Sequence, residues 1–189
     1  MARPTAITDL LTSVANGDSA AHNELFRLVY DELKRVARTH VRRSAHGATI
    51  SPTTLVHEVW IKFSRIDKRS INGSVHFYNA MAQAMRHVLY DLVARKQSEK
   101  HGGVMVRTDL TERIEMDDKP LDELIAIDAA LNDLRACDPD LSTIVEWHYF
   151  VGLSLAEISE LRAVSERTVK RHLAMARAFL HDVMKNKAP

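Results

Sequence analysis

The chain contains one cysteine, six glycines and five prolines in 189 residues, and only 6% of its residues are aromatic. Cys137 alone cannot form an internal disulfide, which indicates a reducing compartment such as the cytoplasm. We expect this thiol to be packed rather than reactive. No apolar run approaches the roughly 20 residues of a membrane-spanning helix. The polar start of the chain is not that of a signal peptide. We therefore predict a cytoplasmic protein without membrane insertion.

Common sequence motifs of metal-binding, phosphate-binding and catalytic sites are also absent from the sequence. The sequence contains no H-E-x-x-H, C-x-x-C, Gly-rich phosphate loop or nucleophile elbow. The candidate histidine pairs, His40 with His46 and His76 with His87, have no Cys partner at metal-ligand spacing. We therefore expect no metal, no cofactor and no enzymatic activity.

Charge is strongly segregated along the chain, although the total is only +1. Residues 18–101 carry 14 Lys and Arg against 8 Asp and Glu, and residues 162–189 carry 7 against 2. Between them, residues 102–124 carry 3 against 7 and residues 125–161 carry 1 against 7. Two basic segments separated by an acidic one suggest two DNA-facing surfaces on two domains.

Apolar residues recur three or four positions apart through most of the chain, which predicts helices rather than strands. A hydrophobic content of 46% with few Gly and Pro fits this reading. The predicted fold is all-α, with two small helical domains joined by an acidic linker. The predicted helices cover residues 5–16, 18–45, 52–66, 75–99, 121–136 and 139–150, and two short helices follow them. The predicted boundaries are 1–17 for a short N-terminal helix, 18–101 for the first domain, 102–120 for the linker and 121–189 for the second domain.

The region from Gly152 to Leu173 has the pattern of a helix-turn-helix. Ser154 and Glu157 form an S-x-x-E capping box that predicts the start of one helix. Ser165 can cap a second helix. Its predicted inward positions are Val169, Leu173, Ala176 and Leu180. Its other face carries Arg167, Thr168, Lys170 and Arg171. The N-terminal residues of such a second helix contact base edges in the major groove.

Two sets of motifs resemble those of bacterial RNA polymerase sigma factors of the extracytoplasmic-function group. They are the segments 150–161 and 164–171 near the C-terminus, and residues 55–58 and 77–95 in the first domain, which occur in the family's order and spacing. The resemblance covers about residues 18–184. It implies that residues 18–101 are sigma domain 2 and residues 121–189 are sigma domain 4. The expected partners are core RNA polymerase and promoter DNA.

The resemblance assigns DNA contacts to both domains. In domain 4, Arg167, Thr168, Lys170 and Arg171 would contact the minus-thirty-five element. In domain 2, the candidates for the melted minus-ten element are basic residues of the long helix: Arg86, His87, Arg95 and Lys96. Phe77 and Tyr78 are candidate stacking groups, and a position in the core is the alternative for Phe77. The sequence departs from the family at Ala163, where the turn of the helix-turn-helix usually carries Gly.

A further departure lies at the helix that docks on polymerase in this family. Thr54, His57 and Glu58 share its polar face by helical spacing. Ser51, Pro52, Thr53 and Thr54 stand where the family has an acidic cluster. A phosphate on Thr53 or Thr54 would restore negative charge at a helix start. We therefore expect regulation by a Ser/Thr kinase, with an anti-sigma factor as a further possible partner; an alternative is that polymerase accepts the unmodified chain.

Two other functions fit the helix-turn-helix without polymerase. A stand-alone dimeric transcriptional regulator would bind duplex DNA by itself. An adaptor that binds proteins through its helices would leave Arg167, Lys170 and Arg171 dispensable.

Overall fold

The computed structural model describes the backbone of residues 4–43, 51–66, 71–100 and 119–187. It describes side-chain environments for residues 6–38, 51–66, 71–91 and 125–186. In these ranges the chain forms eight α-helices and one π-helical turn, with no strand, which confirms the all-α prediction. The elements are α1 (Pro4–Ala15), α2 (Ser19–Arg43), α3 (Pro52–Ser64), α4 (Gly73–Lys100), α5 (Lys119–Cys137), α6 (Pro139–Glu146), the π turn (Trp147–Val151), α7 (Leu155–Arg162) and α8 (Glu166–Lys187).

Side-chain caps start several of these helices at the predicted positions. Asp18 Oδ1 accepts the Ala20 amide at 2.8 Å ahead of α2. Ser51 Oγ accepts the Thr54 amide at 3.1 Å, with Pro52 as the first residue of α3. Asp138 starts α6 in the same way. Each cap satisfies one amide that has no partner within the helix, and such a cap stabilises a helix by about 1 kcal/mol.

The N-terminal half is a four-helix unit. Helices α2 and α4 each pack against α1 and α3. The residues completely shielded from solvent in this unit are apolar or aromatic: Ile7, Leu25, Ala37, Leu55, Val56, Val59, Phe63, Phe77, Met81, Ala82 and Met85. This unit holds α3 and α4 in fixed relative positions.

The C-terminal half packs α5, α6 and α8 against one another, and α7 lies on α8. The predicted helix over residues 139–150 is wrong in one detail. The α-helix ends at Glu146 and continues as the wider π turn. The π turn ends at Gly152, which has a φ of 90°, and the Gly152 amide donates to the Trp147 carbonyl at 3.0 Å.

The two halves contact each other. The π turn packs on α4 and α2, and α5 and α6 also touch α4. Trp147 is completely buried at this contact, and burying an indole of about 200 Å² stabilises the packed form by up to roughly 5 kcal/mol. Buried residues of both halves therefore form one continuous core.

The predicted linker at 102–120 lies almost wholly outside the described residues, so the domain boundaries stay a prediction. The packing prediction for Cys137 is wrong. This side chain is exposed, because it lies at the last position of α5, next to the cap of α6.

Candidate nucleic-acid interface

The helix-turn-helix forms as its capping residues predict. Ser154 Oγ accepts the Glu157 amide at 3.3 Å, while the Ser154 amide donates to Glu157 Oε2 at 2.9 Å. This reciprocal pair is the capping box. Helix α7 ends at Arg162 and is followed by its capping residue Ala163, which has φ 51° and ψ 40°. Ala163 is the one non-glycine residue with positive φ in the described part of the chain. The turn therefore keeps the left-handed conformation although a Cβ disfavours it by about 1 kcal/mol.

Helix α8 presents a basic surface at its start. Ser165 Oγ accepts the Thr168 amide at 3.1 Å and caps the helix. Three residues one turn apart face the core: Val169, Leu173 and Ala176. The opposite positions are therefore solvent-facing. Arg167, Lys170 and Arg171 are exposed and Thr168 is half-buried.

These four residues line one shallow concavity together with Ala174. Within the described part of the chain, none of the three cations forms an ion pair, so their charge is available to an anionic ligand. Arg and Lys at the start of a helix can reach guanine edges or phosphates. We call this set (Arg167, Thr168, Lys170 and Arg171) the α8 basic surface.

A second exposed surface lies at the start of α3. Thr54, His57 and Glu58 are exposed, and Thr53 is half-buried. Thr54 Oγ1 lies 3.0 Å from Ser51 Oγ in the first turn of α3. The His57 ring lies 5.9 Å from the Phe26 ring, which helps to fix its orientation. We call Thr54, His57 and Glu58 the α3 surface.

The candidates on α4 divide into three groups. His87 is exposed, whereas Arg86 is only 8% exposed and lies between the halves. Arg95 and Lys96 lie outside the residues whose side chains are described. Phe77 and Tyr78 are buried, which confirms the core interpretation of Phe77 and leaves neither ring exposed for stacking on a base. Burial, reinforced by the negative charges of Glu157 and Glu160, raises the pKa of Tyr78 above its ordinary value.

Among the described residues, the hydrogen-bond partners of the Arg86 guanidinium all belong to the C-terminal half. Its Nε donates to Asp128 Oδ1 at 2.6 Å, and its Nη1 donates to Glu146 Oε1 at 2.9 Å. Its Nη2 donates to the Asp128 carbonyl at 3.0 Å and to Asn132 Oδ1. Arg135 Nη2 donates to both carboxylate oxygens of Glu146, to Oε1 at 2.7 Å and to Oε2 at 2.5 Å. Burial by itself lowers the pKa of Arg86, but the hydrogen bond and charge of Asp128 and the charge of Glu146 outweigh this and raise it.

Sequence reasoning did not identify the partners of Arg86. One signal was available, because Glu146 is the one acid in the largely apolar and aromatic run from Ile144 to Val151. An acid at such a position is only 4% exposed here, and a buried carboxylate requires a cationic partner. Sequence alone could not show that this partner lies 60 positions earlier.

The fold and the α8 basic surface define a helix-turn-helix protein of the kind that binds DNA. A family model described as "ECF sigma factor" matches residues 4–186 of the 189-residue chain. The chain therefore belongs to the ECF sigma factor family, and it has the promoter-directing role of a sigma factor in transcription initiation. Comparison with curated proteins and with solved structures found no match.

Two further findings concern the described residues only. No helix among them is both long enough and apolar enough to cross a bilayer. No three His, Cys, Asp or Glu side chains in those ranges come together as a metal-binding group.

Proposed function

We propose that the chain directs core RNA polymerase to promoters through three surfaces. The α8 basic surface binds the minus-thirty-five element, the α3 surface binds core polymerase, and the region of α4 around His87 lies near the melted minus-ten element. The observation that carries this proposal is the α8 basic surface, with three exposed cations at the start of the second helix of a capped helix-turn-helix. The family match favours this function over the stand-alone dimeric regulator.

The α3 surface supports a regulatory step by phosphorylation. The first turn of α3 carries no acidic residue, so Glu58 is the one carboxylate of the α3 surface. The positive end of the helix dipole stabilises an anion placed in this turn. A phosphate would add about 1.5 to 2 negative charges there. Thr54 is the better acceptor, because it is exposed whereas Thr53 is half-buried.

A Ser/Thr kinase is therefore the proposed activator of polymerase binding. An anti-sigma factor remains a further candidate partner, and no surface is assigned to it. Docking by the α3 surface depends on charge in this proposal, so binding of the unmodified chain should be weak. Adding charge at Thr54 should strengthen it.

The test is binding of the full chain to purified core polymerase, measured for the unmodified protein, for Thr54→Glu and for enzymatically phosphorylated protein. We expect Thr54→Glu to bind about tenfold tighter, which corresponds to about 1.4 kcal/mol. Thr12→Glu is the matched control, because it adds the same charge at another exposed helical threonine of the N-terminal half. Equal binding by all four proteins would refute the phosphorylation step.

A further inference from the structure

The solvent-facing stripe of α8 changes its chemistry partway along the helix. Because Val169, Leu173 and Ala176 are buried, the positions opposite them recur at intervals of four, three and four residues. These positions hold two arginines followed by two alanines, all exposed: Arg167, Arg171, Ala174 and Ala178. The stripe is therefore cationic at the start of α8 and carries only methyl groups further along.

Ala174 lies in the same concavity as the α8 basic surface. The concavity is lined by the four residues of that surface and by Ala174. Ala178, one turn further along α8, lies outside this lining. Ala174 is thus the one lining residue whose side chain is entirely apolar. A ligand that fills the concavity meets three cations, a threonine hydroxyl and one methyl group.

Two base pairs of duplex DNA match this combination of groups. In the major groove, guanine presents two acceptors that an arginine binds, and thymine presents its C5-methyl group, which an alanine side chain contacts. Alanine has no donor or acceptor in its side chain, so it forms no hydrogen bond with any base edge. The concavity therefore fits a sequence that contains guanine and thymine close together.

The spacing of Arg171 and Ala174 along α8 limits the distance between these two bases. Three residues of α-helix advance about 4.5 Å, at about 1.5 Å per residue. Successive base pairs are about 3.4 Å apart along a DNA strand. When α8 lies along the major groove, the two side chains therefore face base pairs about one or two steps apart.

We propose that Ala174 is a specificity-determining residue: its methyl group contacts the C5-methyl group of a thymine in the upstream promoter element, one or two base pairs from a guanine bound by Arg171. This inference rests on the proposed binding of the minus-thirty-five element by the α8 basic surface. The cations of that surface supply affinity through charge. Ala174 adds a preference for one base over the other three.

The first measurement is the base preference of promoters selected from templates with a randomised upstream element and a transcribed barcode. Core polymerase transcribes them with each full-length protein, in the unmodified and the Thr54→Glu background, and the barcodes are sequenced. We expect the parent chain to enrich a thymine one or two base pairs from a preferred guanine. Ala174→Gln should prefer adenine at that position by about tenfold, because a glutamine amide forms two hydrogen bonds with adenine.

Ala178→Gln is the matched control for Ala174→Gln. Ala178 is also an exposed alanine of α8, but it lies outside the concavity. We expect this variant to keep the base preference of the parent chain. The same preference for Ala174→Gln and the parent chain, or a parent preference that lacks the thymine, would overturn the role of Ala174.

The second measurement isolates the methyl group of the enriched thymine. Deoxyuridine, which lacks only the C5-methyl group, replaces this thymine, and a gel-shift titration compares the two templates in complex with polymerase. Binding by the parent chain should fall about fourfold, the effect of no longer burying one methyl-sized group. Ala174→Gly should bind both templates equally, and the ratio of the two affinities is internal to each variant. Equal ratios for Ala174→Gly and the parent chain would contradict the methyl contact.

Failure of the proposed function gives a different result from failure of this inference. If no protein yields more transcripts than core enzyme alone, the promoter-directing function is refuted, and the base preference is refuted with it. If transcripts depend on the chain and guanine is enriched without the thymine, the function stands and only the role of Ala174 is refuted.

Discussion

Glu146→Gln tests the energetics of the contact between the halves. Glu146 is 4% exposed, and its carboxylate lies between Arg86 and Arg135. The substitution keeps the size of the side chain and one acceptor oxygen but removes the negative charge. Arg86 keeps its bonds to Asp128, whereas its Nη1 loses its ionised partner. The positive charge of the Arg86 guanidinium is then only partly neutralised at a buried position.

The size of the expected effect follows from burial. Removing one partner of a buried ion pair costs about 3 to 5 kcal/mol, and the retained acceptor places Glu146→Gln at the lower end, near 3 kcal/mol. For a chain of this length, that loss lowers the melting temperature by about 6 to 12 °C. Asp91→Asn is the control, since Asp91 pairs with Lys62 at 2.7 Å but the two side chains are 52% and 40% exposed. An exposed pair contributes at most about 1 kcal/mol.

The assay is urea unfolding followed by circular dichroism, with thermal unfolding as a second probe. Coincidence of the two transitions checks two-state behaviour. A free energy of unfolding for Glu146→Gln no lower than that for Asp91→Asn would refute the assignment of Arg86 and Glu146 to a buried ion pair.

Two further predictions concern the helix-turn-helix. Ala163→Gly should raise the free energy of unfolding by up to about 1 kcal/mol, because Gly removes the steric cost of the left-handed turn. Ala174→Gly in the middle of α8 is the control and should lower the free energy of unfolding by about the same amount. A lower free energy of unfolding in both variants would contradict the left-handed geometry of the turn. Lys170→Ala should weaken binding to promoter templates in complex with polymerase by about tenfold, since it removes one contact worth about 1 to 3 kcal/mol. Lys185→Ala, at the far end of the same helix, should not change that binding, and a gel-shift titration measures both.

The helices that carry the candidate surfaces could be predicted because their signals are local. Ser51, Ser154 and Ser165 each precede a helix whose amide they accept, and such caps are readable within four residues of sequence. The burial of Val169 and Leu173 likewise follows from helical spacing. The same spacing therefore predicts which side chains of α8 face solvent.

The contact between the halves could not be predicted because its signals are distant in sequence. Net charge describes the acidic segment as a whole, but Asp128 and Glu146 are specific partners of one arginine. Helical spacing shows which face of α4 carries Arg86, but it does not identify the residues that pack against that face. Local sequence patterns do not predict the π turn either. The turn lies at the contact between the halves, where Trp147 packs into the core that both halves share.

The most direct test of the central claim is transcription in vitro with core RNA polymerase and a pool of templates with a randomised promoter region. The account predicts transcripts only when core enzyme and this chain are both present, with more from Thr54→Glu than from the unmodified protein. It also predicts that replacing Lys170 and Arg171 together by alanine abolishes them. Core enzyme that gives no added transcripts with either form, or full transcription by the double alanine variant, would contradict it.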